Sequence, residues 1–212
     1  MNSMQARRAH RLARRQWIQE AARGVFAEHG FDRSSIEQIA RAAQLSVGSI
    51  YLYFRSKDDL CVSLIEDAMM RFDEQMSRLF VDAPAAEQLR AGWGLLMEWT
   101  RRSEYARVLR LLAEPTIRAQ LSEEVLAAVS AGTGRIKELL AECVRHGVEA
   151  GRYRDVSERE VAELLWSMLL GCLGASGIQA SLGEPPVPLE LRAWQSFSFI
   201  ERALARAERA AA

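Results

Sequence analysis

The sequence predicts an all-α protein with two parts. A three-helix, helix-turn-helix domain occupies residues 1–56, and a helical bundle follows over residues 57–212. Three observations carry this. Apolar residues recur at helical spacing along nearly the whole chain, and no alternating run long enough for a strand interrupts them. The stretch from Ser34 to Lys57 compresses two short helices and the cap of a third into one segment. Charge is also unevenly divided: residues 1–57 carry a balance of +6 and the remainder −6, although the whole chain is neutral. Such asymmetry points to a nucleic-acid face on one part of the chain.

Within the central stretch, Ile36, Ile39, Ala40 and Ala43 follow the i, i+3, i+4, i+7 pattern of one helical face. Ser34 with Glu37 makes a capping box, and Ser56 with Asp59 makes another. Ser46 caps a second helix that carries Ile50, Tyr53 and Phe54. Two helices this short at this spacing have the shape of a helix-turn-helix, whose second helix enters the major groove. Ala40 is small where the second helix must cross closely. Gly48 costs about 1 kcal/mol against alanine inside a helix, and in the first turn of a recognition helix it leaves room for a sugar-phosphate backbone or a base edge. A helical hairpin within a larger bundle is the alternative reading.

The residues I-E-Q-I-A-R-A-A, then L-S-V-G-S-I-Y-L-Y-F, then S-K-D-D-L resemble the helix-turn-helix of the TetR/AcrR family of transcriptional regulators. The resemblance covers about the first quarter of the chain. It departs from the family at Gln44, where a turn glycine is usual and a left-handed backbone would cost about 1–2 kcal/mol. It departs also at Val47, where a basic or polar residue is common; either one phosphate goes unheld there, or the valine meets a thymine methyl. The resemblance implies that Ser46, Val47, Gly48, Ser49 and Tyr51 face the groove and that Ser35, Tyr53 and Lys57 hold phosphates of a double-stranded operator.

Around this stretch, residues 1–15 hold Arg7, Arg8, His10, Arg11, Arg14 and Arg15, with no acid before Glu20. They read as a frayed, solvated end or as a flexible basic arm that reaches phosphates or a minor groove. A bracing helix follows through Trp17, Ile18, Ala21, Ala22, Val25 and Phe26 to the terminator Gly30. From Lys57 to about Phe80 the pattern predicts one long helix. Further helices are expected over about 85–102, 104–113, 122–150 (with Gly132 and Gly134 as a possible kink), 157–173 and 189–208. No apolar run approaches the length of about eighteen residues that a membrane span needs. No apolar segment follows the N-terminal arginines, so a secretory signal is not expected and the cytoplasm is the default.

The resemblance also implies a homodimer formed by the last two helices. There Gly171, Gly174 and Gly177 would allow close helix packing, and a two-fold dimer would match a palindromic site. It further implies an effector pocket. The lining residues expected from helix faces are Leu64, Ala68, Phe72, Trp93 and Met97, with Leu109, Leu112, Leu139, Cys143 and Trp166; any one of them is also an ordinary core residue. Such a lining suits a small, largely apolar molecule.

Cys143 and His146 lie three apart on one helix without a third or fourth ligand at a recognisable spacing, so no metal and no cofactor is expected. No motif for a catalytic serine, a zinc protease or a phosphate loop occurs, and an enzyme is not expected. The function that the resemblance implies is a repressor released from a palindromic operator by its ligand. The alternative is a small-molecule-binding or redox-sensing helical dimer, with Cys143 or Cys172 as the sensor and DNA binding secondary.

Overall fold

The computed structural model describes residues 3–101, 108, 111–112, 115–185 and 187–206. The chain divides into two compact units, residues 1–66 with 114–129, and residues 67–113 with 130–212. The expected boundary at 56/57 falls inside the first of these. Among the described residues the secondary structure is helical apart from a single bridge between Tyr153 and Ala205.

The first unit opens with α1 (Ser3–His29), which Gly30 ends at φ +75°. The basic stretch expected to be a flexible arm is therefore the first half of a helix. Residues 3–16 contain no glycine, proline or β-branched residue and consist largely of strong helix formers, so nothing local interrupts it. Ile18, Ala22 and Val25 of α1 pack with Ile36, Ile39, Ala40, Ile50, Phe54 and Leu60 in one buried cluster.

Helix α2 (Ile36–Ala42) is capped one residue later than expected. Ser34 turns inward and donates to Gly30 O at 2.5 Å, leaving Ser35 as the cap. Ser35 Oγ accepts from Gln38 N at 3.3 Å, and Gln38 Oε1 accepts from Ser35 N at 2.8 Å. The helix closes with Leu45 N donating to Ala40 O and Gln44 N to Arg41 O, the paired bonds of a Schellman ending. Gln44 is accordingly left-handed, at φ 55°. Helix α3 (Val47–Tyr51) follows, with Ser46 as its cap.

Where one long helix was expected from Lys57 onward, the structure has two, α4 (Lys57–Ser63) and α5 (Ile65–Asp82), with a break at Leu64. Competition for the backbone explains it. Gln19 Nε2 donates to Ser63 O at 3.1 Å and to Ser63 Oγ at 3.0 Å, while Ser63 Oγ donates back to Leu60 O. Leu64 N then bonds Cys61 O in a tightened last turn. The expected Ser56–Asp59 box also changes: Ser56 Oγ accepts from Asp59 N, but the Asp59 carboxylate reaches past Ser56 to Arg55 N at 2.8 Å. A short helix, α7 (Pro115–Arg118), and the start of α8 (Glu123–Glu149) complete this unit.

The second unit holds most of α5, α6 (Gln88–Arg101), the rest of α8, α9 (Glu158–Ser181) and α10 (Leu189–Leu204). The expected helix over 104–113 lies largely outside the described residues. Trp93 stacks on Phe197 at 5.2 Å, and Gln88 closes the end of α5 by donating to Phe80 O and Ala83 O. Helix α8 runs through Gly132 and Gly134 without interruption. Gly132 leaves room for the Met69 thioether and Gly147 for the Tyr153 ring.

Two stability changes follow. Gln44→Gly removes left-handed strain of about 1–2 kcal/mol against a glycine entropy cost of about 0.5–1 kcal/mol, so it should raise the unfolding free energy in urea by up to about 1 kcal/mol. A lowered midpoint would mean that Gln44 bears no strain. Gly147→Ala drives a methyl into the buried Tyr153 ring and should cost about 2 kcal/mol in the same assay.

Candidate nucleic-acid interface

Ile50 is fully buried in the cluster of the first unit and holds α3 from beneath. The residues around it divide by burial. Ser46, Gly48 and Tyr51 are exposed, Tyr51 at 52%. Val47, Ser49 and Tyr53 are half-buried, and Val47 and Tyr53 pack against the core. Ser46 Oγ accepts from Ser49 N at 3.1 Å and lies 2.8 Å from Ser49 Oγ, so the two hydroxyls form one polar edge at the start of α3. A side chain built on Gly48 would meet nothing nearer than Ser46 Oγ at 3.9 Å. No packing among the described residues calls for that glycine.

The three residues expected at phosphates have different surroundings. Ser35 is the cap of α2, and its hydrogen bond holds the exposed Glu37 carboxylate below the usual range. Glu37 therefore places a negative charge beside Ser35 at neutral pH. Lys57 Nζ donates to Phe31 O at 2.9 Å and Ser34 O at 2.8 Å, and it lies 4.2 Å from the centre of the Phe31 ring. It staples the α1–α2 connection and retains one N–H for a partner. Tyr53 contributes its ring to the core edge.

Several residues that position this surface carry no motif in the sequence. Trp17 Nε1 donates to Ala43 O at 2.9 Å and ties α1 to the turn. Asp59, fully buried, accepts from Arg55 N through one oxygen and from Ser122 N and Ser122 Oγ through the other. Arg55 Nη1 donates to Leu121 O at 3.2 Å. The capping pattern marks Asp59, but nothing in the sequence pairs it with a serine 63 positions away.

Of the expected effector residues, Ala68, Phe72, Trp93, Met97, Leu139, Cys143 and Trp166 are buried in the second unit. Leu112 is half-buried there, Leu64 is half-buried in the first unit, and Leu109 lies outside the described residues. A side chain on Gly92 would touch Met76 Cε at 3.1 Å and Cys143 Sγ at 3.3 Å, so α5, α6 and α8 are in close contact there. Trp93 Nε1 is buried without a hydrogen-bond acceptor among the described residues. An open groove between α8 and α9 is lined instead by charged residues, among them Lys137, Glu142, Arg145 and Arg159, and includes none of the expected set. Among the described residues no group of three or more histidine, cysteine or acidic side chains is gathered for a metal ion.

This geometry has counterparts among known proteins. Residues 18–64 match the model of bacterial regulatory proteins of the tetR family. The chain is 37% identical over 71 residues to the fatty acid metabolism regulator protein of Bacillus subtilis, covering 34% of this chain and 37% of that one. It is 29% identical over 178 residues to a transcriptional repressor of Mycobacterium tuberculosis, covering 84% and 87%. The match spans 62% of the regulator HbdR from Aromatoleum, so two of these relatives are covered over less than two thirds of their length. In fold the chain is similar to Thermus thermophilus FadR, a repressor solved with lauroyl-CoA. The TM-score is 0.66 at 20% identity, covering 93% of this chain and 99% of that one.

The cysteines supply a test of the redox alternative. Cys143 is fully buried, and burial, with the Glu142 charge adding, pushes its thiol from the ordinary 9.0 up to about 12. The folded state thus holds this proton more tightly than the unfolded chain does. The stability it confers is complete below pH 9.0 and is lost as pH rises towards about 12. Urea midpoints measured across that range should decline in this window. At neutral pH Cys143 should react with a thiol reagent only after unfolding; rapid labelling of the native protein would contradict both.

Proposed function

We propose that the chain, whose residues 18–64 match the model of bacterial regulatory proteins of the tetR family, is a member of that family and a sequence-specific DNA-binding transcriptional repressor. It acts in the cytoplasm as a homodimer on a palindromic operator and leaves that operator when a small, largely apolar effector occupies the second unit. The observation that carries the DNA reading is Gly48. A glycine in the first turn of an exposed, capped helix, with open space above it and no packing among the described residues to require it, fits close approach of a backbone or base edge from outside. Ser46, Ser49 and Tyr51 are the groove-reading residues in this scheme, and Val47 gives its free edge to a thymine methyl. Ser35, Tyr53 and the remaining N–H of Lys57 take phosphates.

The dimer reading is supported by the outer stripe of α9. Leu164, Gly171, Gly174 and Ile178 recur on one exposed face, with Leu182 just past its end, and side chains built on Gly171 or Gly174 would meet nothing within 4 Å among the described residues. Leu191 and Phe199 of α10 are exposed as well. A two-fold pair would set its recognition helices about 34–36 Å apart, one turn of duplex. The effector reading is supported by the apolar character of the buried set around Phe72, Trp93 and Leu139. The relatives named for fatty acid metabolism and for a lauroyl-CoA complex point to the same ligand character. Such a ligand shifts DNA affinity only by its differential affinity for the free and bound conformations. The buried, proton-holding Cys143 argues against redox sensing there.

Selection from a random duplex library should return a palindrome with half-sites about one turn apart; no enrichment would sink the reading. Tyr51→Ala should abolish specific binding while leaving the dimer intact. Gly48→Ala should stabilise the fold by up to about 1 kcal/mol and yet weaken operator binding, two changes of opposite sign that a merely structural glycine would not produce. Light scattering at micromolar concentration should give a dimer, and Gly174→Glu should give a monomer.

A further inference from the structure

Helix α1 is longer than the unit it braces. Its first residue in the buried cluster is Ile18, whereas every residue from Met4 to Ala13 is exposed. Trp17 is bonded to Ala43 O, the end of α2, so the part of α1 before it overshoots α2 on the side of the helix-turn-helix turn. At about 1.5 Å per residue, the overshoot from Met4 to Arg14 is roughly 15 Å long. Arg7, Arg8, Arg11 and Arg14 lie on it, and none of these has an ion-pair partner among the described residues.

Their placement around the helix is informative. At 3.6 residues per turn, these arginines fall within an arc of about 120°. Ile18, Ala22 and Val25, the residues that face the core, fall on that same arc. The stripe changes from apolar to basic where α1 passes the end of the domain. A merely solvating set of arginines would be expected on the outer face, away from the core stripe. Here the charges instead point to the side on which the domain's own elements lie, beyond the place where those elements stop. Arg15 shows the transition: it is buried, with its guanidinium 5.2 Å from the centre of the Phe54 ring and 3.7 Å from Glu124.

We infer that the overshooting half of α1 is a phosphate-tracking helix, which lies along the duplex beside the recognition site and contacts backbone phosphates through Arg7, Arg8, Arg11 and Arg14. The inference rests on the proposed DNA-binding function and adds to it a second, sequence-independent contact. Duplex DNA carries one charge per about 1.7 Å of axis, so a helix of this length has several phosphates within reach. Being helical, the segment is too broad to enter a narrow minor groove as an extended arm would, and it therefore needs positive charge rather than the arginine side chain as such.

The test uses the full chain and a random-sequence duplex pool, with binding measured over a series of salt concentrations. Replacing Arg7, Arg8, Arg11 and Arg14 together by Gln should leave the thermal midpoint unchanged and flatten the dependence of log K on log salt by about 3.6 per protomer, at roughly 0.9 for each of the phosphates no longer neutralised. Replacing the same residues by Lys should restore the original slope. An unchanged slope in the Gln variant, with the wild-type protein bound, would overturn the inference. So would failure of the Lys variant to restore it, which would favour arginines inserted in a minor groove. A slope change seen with anionic lipid vesicles and not with duplex would overturn it in favour of a membrane surface. If the wild-type protein binds neither the pool nor any selected sequence, the DNA-binding function itself fails and this contact falls with it.

Discussion

The first unit depends on a single carboxylate. Asp59 has no exposed surface, yet both its oxygens are used: one accepts from Arg55 N, the other from Ser122 N and Ser122 Oγ. An acidic side chain withdrawn from water is tolerable only with such donors, and the donors in turn would be orphaned without it. Through these bonds the start of α4 and the start of α8 are fixed to one another, and the Arg55 guanidinium on Leu121 O repeats the link. The helix that begins at this clasp continues beyond residue 129 into the second unit. The Phe54 ring and the cap at Ser56, which follow α3, are adjacent to it in sequence.

A second constraint acts from the other side of α2. Lys57 holds Phe31 O and Ser34 O, Ser34 holds Gly30 O, and Trp17 holds Ala43 O. Both ends of α2 are thereby tied by side chains from outside it. A seven-residue helix has little stability of its own, so tertiary ties of this kind, with burial of Ile36, Ile39 and Ala40, are what keep it formed. The left-handed Gln44 survives for the same reason: the bonds on either side of it leave no other route for the chain.

How much of this is legible in the sequence follows from what each feature depends on. Periodicity reports burial, so Ile36, Ile39, Ala40 and Ile50 are legible, as is the helical nature of both units. The unusual backbone at Gln44 is legible only through the family resemblance, which has a turn glycine at that position. Features set by competition between neighbouring groups are not. Ser34 and Ser35 are equivalent as letters, and only the pull of Gly30 O on one of them moves the cap. The break at Leu64 follows Ser63, which Gln19 holds from 44 positions away. The N-terminal arginines read as an arm because charge stands out along a chain, whereas the lack of a helix breaker does not. Glycines divide in the same manner. Gly132 and Gly147 are explained by Met69 and Tyr153, while Gly48, Gly171 and Gly174 have no such neighbour.

Trp17 has a consequence of a different kind. It is the lone tryptophan of the first unit; Trp93, Trp99, Trp166 and Trp194 all belong to the second. It is also 55% exposed, whereas Trp93, Trp99 and Trp166 are nearly or wholly enclosed. Its indole ring is hydrogen-bonded at the junction between α2 and the turn. The chain therefore carries a built-in optical probe on its helix-turn-helix, one that an aqueous quencher such as iodide reaches in preference to the enclosed rings. Events at the two units can be followed separately by emission, without attaching a dye.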